Sequence, residues 1–536
     1  MVRTAAVFAG VVALMAAVSI SLFAAGAVPP IVAAAERGDL EAVRSLLRMR
    51  ADANTPAADG TTALHWAVRG NNLELIELLI KAGANVKAVN RYGISPLTFA
   101  AENGSVRAVD VLLKAGADPN GATTAGEPVL LTAARTGNVD TLQQLIAAGA
   151  NVNAREPWFG ETALIWAAGE NHAAAVRALV AAGADVNTRS TALNPPVLEF
   201  PRSGGPNSPF PRGGWTPLMY AARQGAIEAA RALIDAKADL NAVALPQTDV
   251  PLTSADVEAV SRGIGTTALV FAIINTHYDL AAMLVESGAN PDIADAAGET
   301  ALYAAVDMNS LQWVQGRPAP ILHDRLDGVD LVRLLLVRGA DPNARLKKAP
   351  LKRHHDAGST MNFNEGTTPL MRAARTNDLA VMRALLDGGA DPFLTLPDGT
   401  TTLMIAAGQG YGGLRGEGIR IVVPTEQGAV EAAALLLDRG VDVNAVNATG
   451  NTALHAAVSR GDAVVRLLAR HGATLLANNA GFTPLDLSLG AGGRGGRGGA
   501  LRESTATLLR ELYPDARPND PPAPRPRTAL PAAGAQ

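Results

Sequence analysis

Cysteine is absent from the 536 residues. That removes disulfides, thiolate-ligated zinc and thiol nucleophiles together. Lysine is scarce, with seven in a total of 46 Lys and Arg. The arginine, alanine and glycine excess reads as genomic base composition. The formal net charge is only −4, so no strong basic field invites nucleic acid. Aromatic residues make up 4%, so each one placed at a surface calls for an explanation. Reaction signatures are missing as well: no G-x-S-x-G elbow, no H-E-x-x-H, no phosphate loop and no EF-hand loop. The phrase GLRGEG (413–418) is glycine-rich but lacks the lysine of a phosphate cradle. The expectation is a chain that is not an enzyme and has no cofactor, metal site or catalytic residue.

The N-terminus runs MVRTAAVFAGVVALMAAVSISLFAAGAVPP, with Arg3 as a short basic head and no charge from Thr4 to Pro30. Ala25-Gly26-Ala27 forms an A-x-A site, so residues 1–27 read as a secretory signal cut after Ala27. The alternative is an uncleaved inner-membrane anchor over residues 4–25, because about 20 apolar residues are just enough to span a bilayer. Without cysteine a lipoprotein is excluded. The leader and the composition together point to an exported bacterial protein, periplasmic or secreted.

What is abundant is repetition. The phrase G-x-[TS]-[PA]-L, varied to GEPVL at 126 and GTTTL at 399, begins at Gly60, Gly93, Gly126, Gly160, Gly214, Gly265, Gly298, Gly366, Gly399, Gly450 and Gly481. The spacing is 33 or 34 residues wherever nothing is inserted, the mark of a stacked array. Thr62, Ser95, Thr162, Thr216, Thr368 and Thr483 are placed to cap a helix, often with proline next. Eleven residues after the glycine stands Gly or Asn in every copy but one, where it is Thr276, so a left-handed stop is expected there. A second helix follows with an aliphatic pair such as Leu112–Leu113 or Leu179–Val180. Turns of the type GADPN (116–120) and GANVN (149–153) close the unit with side-chain-to-backbone hydrogen bonds.

GTTALHWAV (60–68), GISPLTFAA (93–101), GWTPLMYAA (214–222) and GNTALHAAV (450–458), followed by turns such as GADVN, resemble ankyrin repeats. The resemblance covers nearly all of 30–512. It implies an all-α repeat solenoid of about twelve units, each a β-hairpin finger plus two antiparallel helices. The domain plan is leader 1–27, solenoid 28–512 and a Pro-rich disordered tail 513–536. PIVAAAERGDLEAVRSLLRMRADAN (30–54) lacks the glycine phrase and reads as the N-terminal cap. A stack of twelve at roughly 10 Å each is on the order of 120 Å long. His65 returns in its slot only as His455, with other residues in the remaining nine copies, so it is architectural. By resemblance it ties the finger to the helix.

Five insertions interrupt the array: 189–213, 243–264 and 346–365 at fingers, 311–328 and 411–427 between paired helices. The first carries Phe200 and Phe210 among prolines, either anchors for a partner on a stiffened loop or rings that fold back onto the neighbouring fingers. The third holds Lys347, Lys348, Lys352 and Arg353 beside His354–His355, either a solvated loop or a basic finger for an acidic partner. Adjacent histidines lack usual metal-ligand spacing. GAGGRGGRGG (490–499) reads as a spacer.

In the resembled family, partners dock on finger tips and on the exposed end of the first helix. The matching candidates are Trp215 and Phe482 one residue after the glycine. Nine residues after it stand Arg69, Glu102, Arg135, Arg223 and Arg375; ten after it, Asn103, Thr136, Glu170 and Gln224. Trp158 and Phe159, just before Gly160, add an exposed aromatic pair. The expected function is an exported protein-binding scaffold using the concave surface and enlarged fingers. A membrane-tethered regulator or inhibitor of an envelope enzyme, and a secreted effector, are the alternatives. Partner identity and oligomeric state are not encoded in any motif.

Overall fold

The structure is a computed structural model, which describes residues 28–192, 213–245, 265–310, 324–348, 365–409, 425–491 and 501–515. The leader with Ala27, the insertion residues Phe210, Lys352 and Arg353, the glycine-rich run 492–500 and the tail from 516 lie outside the described residues. The chain divides into two compact units: Met1–Leu193 with Gly213–Asp239, and Asn194–Arg212 with Leu240–Gln536.

The phrase G-x-[TS]-[PA]-L acts as a helix start. Thr162, Thr267, Thr368 and Thr401 are extended residues whose hydroxyls accept the N–H three residues on, at 3.4, 3.3, 3.3 and 3.2 Å. Unit 1 holds six helix pairs: α1 Pro30–Glu36 and α2 Leu40–Arg48, α3 Ala63–Arg69 and α4 Leu73–Lys81, α5 Pro96–Glu102 and α6 Val106–Lys114, α7 Val129–Thr136 and α8 Val139–Ala147, α9 Ala163–Gly169 and α10 Ala173–Ala181, α11 Pro217–Gln224 and α12 Ile227–Asp235. Unit 2 holds six more: α13 Ala268–Ile274 and α14 Tyr278–Glu286, α15 Ala301–Ser310 and α16 Gly328–Val337, α17 Pro369–Thr376 and α18 Leu379–Asp387, α19 Thr402–Ala406 and α20 Glu426–Leu437, α21 Ala453–Ala457 and α22 Asp462–Arg470, α23 Pro484–Ser488 and α24 Glu503–Leu512. Among the described residues the all-α repeat solenoid is therefore present as twelve pairs. Among the described residues the fingers show single bridges, such as Ala122 with Pro128 and Arg155 with Thr162, and no extended strands. No described helix is long and apolar enough to cross a membrane.

Most of these helices have seven to ten residues, shorter than the roughly 12–15 that hold together alone in water. Packing makes them possible. Within each unit a first helix packs on its own partner and on the first helices of its neighbours. In the second repeat Leu64, Ala67 and Val68 from α3 meet Leu75, Ile76 and Leu79 from α4, all fully buried. Alanines along the first helices let neighbours approach closely, so the core is continuous between repeats instead of enclosed in one.

The stop positions behave as expected at most sites. Asn71, Gly104, Gly137, Asn171, Gly225 and Asn377 have φ between 49° and 72°, and Thr276 follows at 63° despite its branched side chain. Two described stops differ: Gly461 is extended (φ 148°, ψ 167°), and at Asn309 α15 runs through to Ser310. The Asn309 side-chain amide is used elsewhere, donating to Asp378 at 2.7 Å.

The turn residues reach further than the sequence pattern suggests. Asn120 donates to the Gly149 carbonyl at 2.9 Å and accepts from Asn151 N–H at 2.8 Å, both in the next repeat. Asn153 makes the same pair to Gly183 and Asp185, and Asn444 to Gly472 and Thr474. Asp292 and Asn343 continue it to Asp341 and Asp391. These side chains serve chiefly as clamps between successive turns.

His65 is also an inter-repeat clamp. Its Nδ1 accepts the Thr62 N–H at 3.1 Å, so Nε2 carries the proton and donates to the Ile94 carbonyl of the next finger at 3.0 Å. His455 repeats this with Thr452 and Phe482. Burial pushes both imidazoles below their ordinary value, with the carbonyl bonds acting against it. A lowered imidazole contributes stability that is complete above about pH 6.5 and is lost as the unfolded chain takes up protons below it. The urea midpoint should therefore fall between pH 7.5 and 5.5, and H65Q/H455Q should flatten that slope. Replacing Asn153 by Ala should cost about 0.5–1.5 kcal/mol in urea unfolding, because it removes the exposed hydrogen bonds to Gly183 and Asp185, whose backbone groups then turn to water.

Candidate functional site

The fingers are joined by a backbone bond one residue before the anchoring glycine. Asp59, Tyr92, Phe159, Ala297, Asp398 and Thr449 each accept an N–H from the next finger, from Arg91, Thr124, Thr191, Lys347, Ala448 and Asn479. At Gly93 this approach is so close that an added Cβ would lie 2.3 Å from the Thr124 nitrogen, with φ at +72°. Only glycine fits.

The finger before Gly160 breaks the rule. Pro157 stands against Gly126 where those six fingers receive a donor, as Pro397 stands against Gly366, and proline has no N–H. The Trp158 indole supplies the missing bond, donating Nε1–H to the Ala125 carbonyl at 3.0 Å. This finger is also one residue wider. Glu156 holds it by accepting the N–H groups of Trp158, Phe159 and Glu161 at 2.7, 2.7 and 2.9 Å. In ordinary fingers the shorter Asn90 or Asn478 does this for two N–H groups. Arg155 pins the base through the carbonyls of Gly160 and Arg189. Trp158 and Phe159 thus sit on a fixed finger, yet remain 67% and 48% exposed.

The first-helix face of unit 1 carries two rows. Six residues after the glycine stand the half-buried rings of Trp66, Phe99, Trp166 and Tyr220. Nine residues after it stand the exposed Arg69, Glu102, Arg135 and Arg223. The rows interlock across repeats. The Arg69 guanidinium lies 5.3 Å from the Trp66 ring and 5.7 Å from Phe99 in the next repeat. Arg135 lies 5.7 Å from Trp166, again one repeat on. The Tyr220 hydroxyl donates to Glu161 at 2.7 Å, and burial raises that carboxyl above its ordinary value.

Two expected contact residues are corrected. Trp215 is only 4% exposed: its ring packs edge-on against Tyr220 at 5.5 Å, with Arg223 over it at 5.4 Å. It is core for the finger base, not a tip. Arg375 is 8% exposed and donates to the Gln409 carbonyl at 2.9 Å. Arg69, Arg135 and Arg223 are exposed as expected, but stacked on rings instead of capping a helix dipole alone. Lys347 is exposed, and the Lys347 and Lys348 N–H groups both turn to Ala297.

In unit 2 most of the positions six residues after the glycine are closed. Phe271, Ala304, Ile405 and Ala456 are buried, Arg372, 3% exposed, pairs with Asp307 at 2.6 Å, and Leu487 is half-buried. Arg460 donates to Asn377 two repeats away at 2.7 Å, lying over Gly408 of the repeat between, where a Cβ would collide with it. Nothing in the repeat pattern singles out Arg372, Arg460 or Glu156; the only signals are an arginine replacing an aromatic and a glutamate replacing Asn. Among the described residues no group of three or more His, Asp or Glu is placed to hold a metal ion.

A family model for ankyrin repeats in three copies matches residues 31–123, 130–244, 325–415 and 421–496, and one for many copies matches 252–315. The matches cover well over half of the sequence. The chain belongs to the ankyrin-repeat family. Among curated proteins it is similar to the B-cell lymphoma 3 protein homolog of Mus musculus, 30% identical over 174 residues, which is 28% of this chain and 34% of that protein. The match thus spans about a third of the relative's length. Ankyrin repeats are typically non-enzymatic protein-interaction scaffolds and imply protein partners. No catalytic family is indicated.

The two kinds of arginine should separate in unfolding experiments. Arg372→Ala should cost about 3–5 kcal/mol by removing the buried guanidinium that pairs with Asp307. Arg69→Ala should cost no more than about 1 kcal/mol, the value of an exposed cation over a ring.

Proposed function

We propose that this chain is an exported protein-binding scaffold that holds its partner on the first-helix face of unit 1 and on the finger carrying Trp158 and Phe159. The observation that carries the reading is the contrast between units. Arg69, Arg135 and Arg223 lie open over Trp66, Phe99, Trp166 and Trp215, while Arg372 and Arg375 are buried. Arginine and large aromatics on a pre-ordered surface are the residues that dominate interface energetics. Export rests on the leader: signal cleavage after Ala27 delivers a periplasmic or secreted protein. The charge-free run 4–25 favours a second reading, a tethered regulator of an envelope enzyme.

Cross-linking in living cells, with purified tagged protein as control, should capture a reproducible protein partner. W158A/F159A should reduce capture by about tenfold or more without shifting the unfolding midpoint by more than the lost indole bond explains. Equal capture would remove the finger from the interface. Mass spectrometry of the mature N-terminus separates the readings: a start at Val28 supports export, and an intact leader supports tethering.

A further inference from the structure

The charged row on the first-helix face of unit 1 alternates in sign. Reading one residue per repeat gives Arg69, Glu102, Arg135, Glu170 and Arg223, all exposed, with Glu170 displaced by one position. Neither Arg69 nor Arg223 has a carboxylate within ion-pair distance among the described residues, and the nearest to Arg135 is Glu127 at 3.8 Å. Each guanidinium instead lies over a ring, which is a weakly hydrated setting. An exposed guanidinium in that setting can still take a carboxylate from a partner. The aromatic row runs parallel, one helical turn away, because the two positions differ by three residues.

Successive repeats are separated by roughly 10 Å, the distance between packed helices. An α-helix rises about 10.5 Å over seven residues, and heptad-spaced side chains stay on one face with a drift of only about 20°. A helix laid along the stack therefore offers one same-face residue per repeat. Its neighbouring row, three or four residues on, runs alongside, so it addresses the charged row and the ring row together. An extended segment turns a single row toward the face.

We propose that this face takes an amphipathic α-helix of a partner protein whose heptad-spaced charges run acidic, basic, acidic, basic, acidic, with aliphatic residues in the adjacent row against Trp66, Phe99, Trp166 and Tyr220. The inference rests on the scaffold reading and specifies its partner. Charge complementarity sets the register: a helix shifted by one heptad brings like charges together at every repeat.

The test uses the full chain and synthetic fluorescent peptides. One is a helix of about five heptads carrying Glu and Lys alternately at one heptad position and Leu at the next row. The second has Glu and Lys exchanged. The third is an extended Pro-rich peptide with the same charges at three-residue spacing. Anisotropy should show the first helix binding about tenfold or more tighter than the second, the gap narrowing with salt. Arg69→Glu/Arg135→Glu/Arg223→Glu should reverse the preference, because an all-acidic row then meets three lysines of the second helix and only two of the first, while circular dichroism and the unfolding midpoint stay close to wild type, since all three arginines are exposed. Equal affinity for the two helices, no binding of either, or tighter binding of the extended peptide overturns the inference. Cellular capture by the wild-type chain is scored separately. Capture without helix or charge preference sinks only the inference, whereas absence of any captured protein sinks the scaffold reading itself.

Discussion

Everything in this molecule depends on neighbours satisfying each other's hydrogen bonds and apolar faces. A helix of seven residues between two turns has neither enough backbone bonds nor enough buried surface to persist alone. The Asn120 side chain spans two successive turns, the Asp59 carbonyl spans two fingers, and the His65 ring spans a helix start and the following finger. Each is a polar group that would be stranded if its neighbour left. The aliphatic layer, such as Leu64 against Leu75 and Leu79, supplies the driving force. The polar clamps hold the register between repeats.

The same dependence explains where function can reside. Clamps consume one edge of each repeat and packing consumes two more. The first-helix face and the finger tips are what remain. In unit 1 that remainder is open, and its arginines lie over rings, with only Arg135 also near an acid, Glu127 at 3.8 Å. In unit 2 the corresponding arginines are drawn inward, Arg372 to Asp307 and Arg375 to the Gln409 carbonyl. One repeat pattern thus yields two faces of different character, according to whether an arginine finds a partner within the fold.

The widened finger shows how one substitution is absorbed. Pro157 removes a donor from the finger ladder. The Trp158 indole restores it from the side chain, and Glu156, longer than the usual Asn, reaches the extra N–H of the larger loop. The aromatic pair is therefore structural at its polar edge and exposed over its apolar surface, a combination suited to an anchor.

The sequence alone determined the repeat, the helix pairing and nearly every helix start and stop, because these depend on local chemistry: a Thr or Ser hydroxyl three residues before an N–H, a glycine where φ must be positive. It placed His65 correctly among architectural residues, since an exchangeable slot cannot hold a reaction. It did not show that Trp215 and Arg375 turn inward, that Asn309 continues its helix, or that Asn120 reaches the next repeat. Those outcomes depend on what stands one repeat away in space, and a 33-residue pattern carries no record of it. Whether an arginine in a repeating slot lies open or buried is decided by the residue it meets across the stack, and only the folded chain brings the two together.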